Sequence, residues 1–211
     1  MSVRLRTAAV ALAAVSLSGC ILLGYPLPHY ETVVAKADLT APSPDPALLS
    51  KLGPEKVRHG QYLVEITGCA GCHTAGALTG EPDPAFALAG SDIGVAYTSP
   101  FDKNFPGVAY PSNLTPDPDN GLGRWSDAQI AAAIRGGSTA VPGHLAAMPW
   151  PLYQRLSDAD VESIVAYLRS IPAIAHHVPA RVAPGTRATS PYVYFGVYRS
   201  GPEINSGHGG G

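Results

Sequence analysis

The chain has 211 residues, enough for one domain or for one domain with long appendages. Apolar content of 45% is ordinary for a globular protein, but 21 prolines and 23 glycines are many, and the pairing predicts a small core with long irregular connections instead of a regular sheet. Net charge is −2 with no basic cluster, so nucleic-acid binding has no electrostatic support, and the only cysteines are Cys20, Cys69 and Cys72.

At the N-terminus, Arg4 and Arg6 precede an apolar run from Ala8 to Leu17, too short to cross a bilayer as a stable helix. The run ends in Leu17-Ser18-Gly19-Cys20, which resembles a bacterial lipobox. The resemblance implies a lipoprotein signal peptide over 1–19, with Cys20 as the lipidated first residue of the mature chain. The protein would then sit outside the cytoplasm in a bacterial cell envelope, held to a membrane by several acyl chains. The competing reading is an ordinary signal peptide cut near Gly19, which leaves a free exported thiol. Either cut removes Arg4 and Arg6, leaving twelve basic against sixteen acidic side chains, about −4.

Residues 20–53 read as a tether. Pro26, Pro28, Pro42, Pro44 and Pro46 recur, and no apolar period lasts long enough to predict a helix. The globular domain is predicted over 54–172. Pro54 suits a first helical turn, and Glu55 favours its positive end. Val57, Leu63, Val64 and Ile66 supply apolar positions, Gly60 permits close backbone approach, and Gly68 ends the helix.

Cys69-Ala70-Gly71-Cys72-His73 follows at once. C-x-x-C-H is the attachment pattern of a c-type haem. Two thiols on one short helical turn reach the vinyl groups of neighbouring pyrroles and form thioethers, and the next residue, His73, falls beneath the iron as its proximal ligand. A redox dithiol would want a βαβ setting and a zinc site a second ligand pair, and neither is present. One covalent haem is therefore expected.

From Thr74 to about Leu122 the chain is rich in Gly, Pro, Asp and Ser. So long an irregular segment wants a purpose, and wrapping a large flat cofactor is one. Asp117-Pro118-Asp119-Asn120-Gly121 lacks the ligand pattern of a calcium loop and reads as a turn. A second helix is predicted from Ser126, with Gln129 completing a capping box, a stripe of Ile130, Ala133 and Ile134, and a stop at Gly136-Gly137. The third is predicted from a Ser157 cap, with Asp158 and Asp160 at its positive end and Val161, Ile164, Val165 and Leu168 on one face. Arg169 suits its negative end, and Pro172 stops it. Residues 173–211 form a Pro/Gly-rich extension in which Tyr192-Val193-Tyr194-Phe195 is the segment able to pack back, and Gly207-His208-Gly209-Gly210-Gly211 reads as mobile.

Three main helices with long connecting loops, the first running into C-x-x-C-H, resemble the all-α class I cytochrome c fold. In that family the first and last helices cross with a glycine on one meeting an aromatic on the other, and Gly60 and Tyr167 match those places. More narrowly, Asn113-Leu114-Thr115-Pro116-Asp117, Gly121-Leu122-Gly123-Arg124-Trp125-Ser126-Asp127 and Met148-Pro149-Trp150 are similar to the haem c subunits of bacterial membrane-bound dehydrogenases. Those subunits commonly carry three haem domains, whereas this chain carries one motif. The resemblance implies an electron carrier, not an enzyme. Its donor would be a dehydrogenase or respiratory protein, and its acceptor an oxidase or another cytochrome.

The resemblance also implies that Met148, the only methionine besides Met1, is the sixth iron ligand. His/Met ligation raises the potential and saturates the iron. His144 is the rival ligand, and an iron left open would instead make the protein a haem-based ligand sensor. Trp125 and Arg124 are candidates to hold haem propionates, as is Asn113; for Trp125, core packing is an equal reading. His59 is expected on the surface or between helices, and His29, His176, His177 and His208 in solvent.

Overall fold

The computed structural model describes residues 39–98, 105–136 and 147–195. Cys20, His29, His144, His208 and the glycine-rich C-terminus lie outside the described residues. Among the described residues six α-helices run in order: α1 (Pro46–Leu52), α2 (Pro54–Ile66), α3 (Ala70–His73), α4 (Asp127–Gly136), α5 (Trp150–Tyr153) and α6 (Asp158–Ser170). The architecture is the class I cytochrome c fold that the helix pattern predicts, with one small sheet added.

The centre is the crossing of α2 and α6. A Cβ on Gly60 would collide with the backbone carbonyl of Ser163 and press on Tyr167 Cβ, so only glycine lets the two helices approach this closely. Tyr167 is fully buried there. Val57, Leu63 and Val64 from α2 meet Val161, Ile164, Val165 and Leu168 from α6 in one cluster. Two serines are buried on α6 at little cost because each hydroxyl donates back along the helix, Ser163 to Ala159 O and Ser170 to Tyr167 O, both at 2.7 Å. Ile66 departs from its predicted place: it points outward, 59% exposed.

The predicted helix ends hold. Pro54 opens α2 with Glu55 in the first turn, and Gly68 follows its end at φ +72°. Ser126 and Gln129 exchange both bonds of a capping box, at 2.8 and 3.2 Å. Ser157 and Asp160 form a second box at the start of α6.

Ordered structure packs on the predicted 54–172 domain from both sides. The tether was expected to reach residue 53, yet Asp45 caps α1 by accepting from the N–H groups of Ala47 and Leu48. Ala41 is buried in the core, and Leu49 and Leu52 pack against it. Tyr167 Oη donates to Pro42 O at 2.6 Å, and Asp45 N donates to Ser170 O at 2.7 Å. Residues from Ala41 onward therefore pack on the helices. α1 has seven residues, two turns, too short to show an apolar period.

The extension after 172 likewise packs on the predicted domain as far as Val193. Strands β1 (Gly94–Ala96), β2 (Val108–Ala109) and β3 (Tyr192–Val193) form a sheet of order β2-β1-β3. β1 pairs with β2 antiparallel and with β3 parallel. Val108 and Val182 exchange backbone bonds at 3.0 and 2.9 Å. The Tyr192 segment thus returns through the backbone of Tyr192 and Val193, while the Tyr192 and Phe195 rings stay exposed. Among the described residues, no helix is long and apolar enough to cross a membrane.

Candidate haem site

Gly68 turns the chain out of α2 into α3, a single turn that carries Cys69, Cys72 and His73. Both cysteines are free. Burial pushes both thiols up, so they stay protonated near neutral pH; for Cys69 the Thr67 hydroxyl, 3.4 Å from Sγ, works in the opposite direction.

His73 is fixed from outside α3. Its Nδ1 lies 2.7 Å from Ser112 O. A carbonyl can only accept, so Nδ1 carries the proton and donates, leaving Nε2 with its lone pair free. Burial lowers the ring's pKa, with the Ser112 carbonyl working in the opposite direction, and the neutral ring is the form that ligates a metal. Two free thiols three residues apart and an adjacent neutral imidazole fit a covalent haem, donor for donor. Among the described residues no group of three or more His, Cys, Asp or Glu side chains is placed to hold a metal ion, and the Asp117 segment is the turn it was expected to be. Asp117 Oδ1 accepts from the backbone of Asp119 and Asn120 and from the Asn120 amide, and those bonds, the Asn120 backbone first, hold its carboxyl below the usual range.

The remaining sequence-predicted residues fall at different distances from this turn. Met148 is half-buried in a bend two residues before α5. α5 docks on the end of α2: Tyr153 Oη donates to Thr67 O at 3.0 Å. Burial pushes the Tyr153 phenol up to about 12, with the neighbouring Cys69 and Cys72 adding to the shift. It is Tyr153 of α5, five residues after Met148, that is thereby brought near the two thiols. Trp125 packs half-buried against the core. Arg124 is exposed and pairs with Asp119 at 2.5 Å. Asn113, next to Ser112, is 1% exposed and spends its polar atoms within the protein: it donates to Ile174 O and His176 O and accepts twice from Thr115.

His59 lies on the surface as expected, 2.8 Å from Asp160 Oδ1. His176 does not lie in solvent. It is half-buried, its Nδ1 2.9 Å from Ala89 O and its ring 4.8 Å from Phe86. Nothing local in an Ala- and Pro-rich tail signals such a partner. Ser112, which orients His73, was also missed, because any residue offers a carbonyl.

The fold and this turn define a c-type haem protein of class I architecture. The chain belongs to the cytochrome c family, whose profile matches residues 57–172. Membership implies covalently bound haem c and electron transfer. Among curated proteins, it is 34% identical over 125 residues to a component of the nicotinate dehydrogenase of Pseudomonas putida, covering 59% of this chain and 9% of that one. It is 37% identical over 120 residues to the fructose dehydrogenase cytochrome subunit of Gluconobacter japonicus, 55% of this chain and 22% of that subunit. It is 34% identical over 116 residues to the cytochrome c subunit of the quinone-linked alcohol dehydrogenase of Gluconobacter oxydans, 53% of this chain and 20% of that subunit. The match thus spans about a fifth of the length of the two cytochrome subunits and less of the nicotinate dehydrogenase component.

Proposed function

We propose that this chain is a one-haem electron carrier, lipid-anchored through Cys20 on the outer side of a bacterial membrane. It takes electrons from an extracytoplasmic dehydrogenase, within or beside a complex of the kind its relatives serve, and passes them to an oxidase or another cytochrome. The observation that carries the reading is the His73 Nδ1–Ser112 carbonyl bond beside two free thiols, which leaves Nε2 free for iron.

Each residue then has one task. Cys69 and Cys72 hold the cofactor by thioethers. His73, through Nε2, and Met148, through its thioether, would be the two protein ligands to its iron. Bound there, haem supplies a one-electron couple, and two protein ligands leave no open position for oxygen or peroxide. Tyr153, through Thr67, ties α5, which follows Met148, to the end of α2. Trp125, Arg124 and Asn113 are the propionate candidates; Trp125 packs against the core, Arg124 pairs with Asp119 on the surface, and the Asn113 amide is bonded within the protein. Partner docking is brief, so the interface is small.

The test is the visible spectrum of the full-length protein made with c-type maturation. One haem per chain should survive denaturation. The oxidised form should show the weak long-wavelength band of methionine ligation, and Met148→Ala should abolish it. A wild-type protein that lacks the band and binds carbon monoxide readily when reduced would overturn the carrier reading. Cys20→Ala should move the protein from the membrane fraction to the soluble one.

A further inference from the structure

The acceptor of the His73 bond, the Ser112 carbonyl, sits in a segment with few apolar anchors. Residues 111–114 lie beside 88–91, joined by Ser91 N to Pro111 O at 3.0 Å and Leu114 N to Leu88 O at 2.8 Å. The 88–91 segment is in turn tied to the haem turn, since Gly90 N donates to His73 O at 2.8 Å. Leu88 holds φ +58°, rare for a bulky side chain and tolerated here because that side chain is fully buried. A pair of short segments under such strain needs support from elsewhere.

The support comes from beyond α6. Residues 174–178 lie across both segments and bond to each. On 111–115, Asn113 Nδ2 donates to Ile174 O at 2.8 Å and to His176 O at 3.3 Å, and Thr115 Oγ1 accepts from Ile174 N at 3.1 Å. On 88–91, His176 Nδ1 donates to Ala89 O at 2.9 Å with its ring against Phe86. Gly90, at φ +89°, leaves space that Val178 enters: a Cβ there would collide with the Val178 side chain. Asn113 and Thr115 are at most 1% exposed, so these bonds face no competition from water.

We infer that the segment after the last helix is a proximal-side strap, with Asn113 and His176 as positioning residues that hold the Ser112 carbonyl on His73 Nδ1–H and so set the reduction potential. The bond from Nδ1 makes the imidazole a stronger donor to the metal. A stronger donor favours the oxidised iron, and a loosened strap therefore raises the potential. The inference rests on the electron-carrier reading above.

The test uses the full-length haem-loaded protein in three variants. Asn113→Ala removes the clasp, and His176→Phe keeps a ring against Phe86 but loses the bond to Ala89. Tyr97→Phe is the control: on the same strap, away from Ser112, it loses a 3.3 Å bond to Val182 O and one accepted from Arg181 Nε at 3.3 Å. Asn113→Ala and His176→Phe should each raise the ratio of reduced to oxidised protein at fixed ambient potential threefold or more, about 30 mV for one electron. Exchange of the His73 Nδ1 proton with water, followed by NMR in the reduced protein, should quicken in the same two variants, while Tyr97→Phe leaves both readouts unchanged. Unshifted potentials, or an equal shift in Tyr97→Phe, would overturn the strap. Where Asn113→Ala fails to accumulate, His176→Phe decides. A wild-type protein without covalent haem would instead overturn the carrier reading itself.

Discussion

The two halves of the domain are held together by different forces. The helical half, α1, α2, α4 and α6, is an apolar cluster built around a glycine contact, and its buried polar groups are two serines bonded within their own helix. In the loop half, from Thr74 to Asp117 together with 173–193, the buried polar side chains are Thr74, Ser91, Asn113, Thr115 and Asp117, beside buried Ala87, Leu88, Ala89 and Val108. Apolar burial is non-directional and forgiving of small shifts, whereas a buried hydrogen bond fixes a position. The haem turn lies at the junction, suspended from α2 at one end and bonded through His73 to the loop half at the other. The tolerant half supplies stability, and the polar half supplies geometry.

The difference can be broken most sharply at the crossing. Tyr167→Ala empties a fully buried aromatic site between α2 and α6 and removes the bond to Pro42 O, with an expected loss of about 3–5 kcal/mol. Urea denaturation followed by far-UV circular dichroism should show the whole domain weakened, since both halves depend on the crossing. Gly60→Ala comes next. Its methyl group meets backbone at Ser163, which cannot turn aside as a side chain could, so the cost is about 1–3 kcal/mol by the same measurement.

The loop half should respond differently. Asn113→Ala leaves the carbonyls of Ile174 and His176 short of a donor in a closed environment, at about 1–3 kcal/mol. The effect should be local: amide hydrogen exchange should speed up over 88–91, 111–115 and 174–178, with α6 protected nearly as before. Uniform acceleration that includes α6 would mean the two halves form one cooperative unit, and the comparison would fail.

The same division decides what the sequence could reveal. The helical half was legible because an amphipathic helix repeats its apolar positions and announces its ends. The caps at Ser157 and Ser126 could be read from residue types and spacing, and the meeting of Gly60 with Tyr167 came from the family resemblance. Cys69-Ala70-Gly71-Cys72-His73 was legible because covalent chemistry sets its spacing. The loop half was largely opaque. Strands of two or three residues carry no period, and β3 joins β1 from nearly a hundred residues away. Asn113 attracted notice as a polar side chain near the cofactor, but its bonds run to backbone carbonyls of the tail, which no residue type betrays. His176 was assigned to solvent for the same reason. α1 failed for a third reason: its two turns follow a proline run that reads as tether.

The smallest expected effect sharpens the comparison at the rim of the helical half, where burial contributes least. Asp160 closes the capping box of α6, and its carboxyl is held below the usual carboxylate range, first by His59, with Nε2 2.8 Å from Oδ1, and then by the hydroxyl and N–H of Ser157 at 2.7 and 3.2 Å. It also stands in the first turn, where the positive end of the helix favours a negative charge. A carboxyl whose folded pKa lies below its unfolded value, about 4, contributes stability that is fully present above that value. The contribution drains away as pH falls through the lower folded value. Asp160→Asn should therefore lower the melting temperature slightly at pH 7, and the gap to wild type should close as pH falls below about 4. Melting curves taken from pH 7 to pH 2 decide it: a gap that stays constant to the acid end would mean that the cap acts through shape alone and its charge contributes nothing.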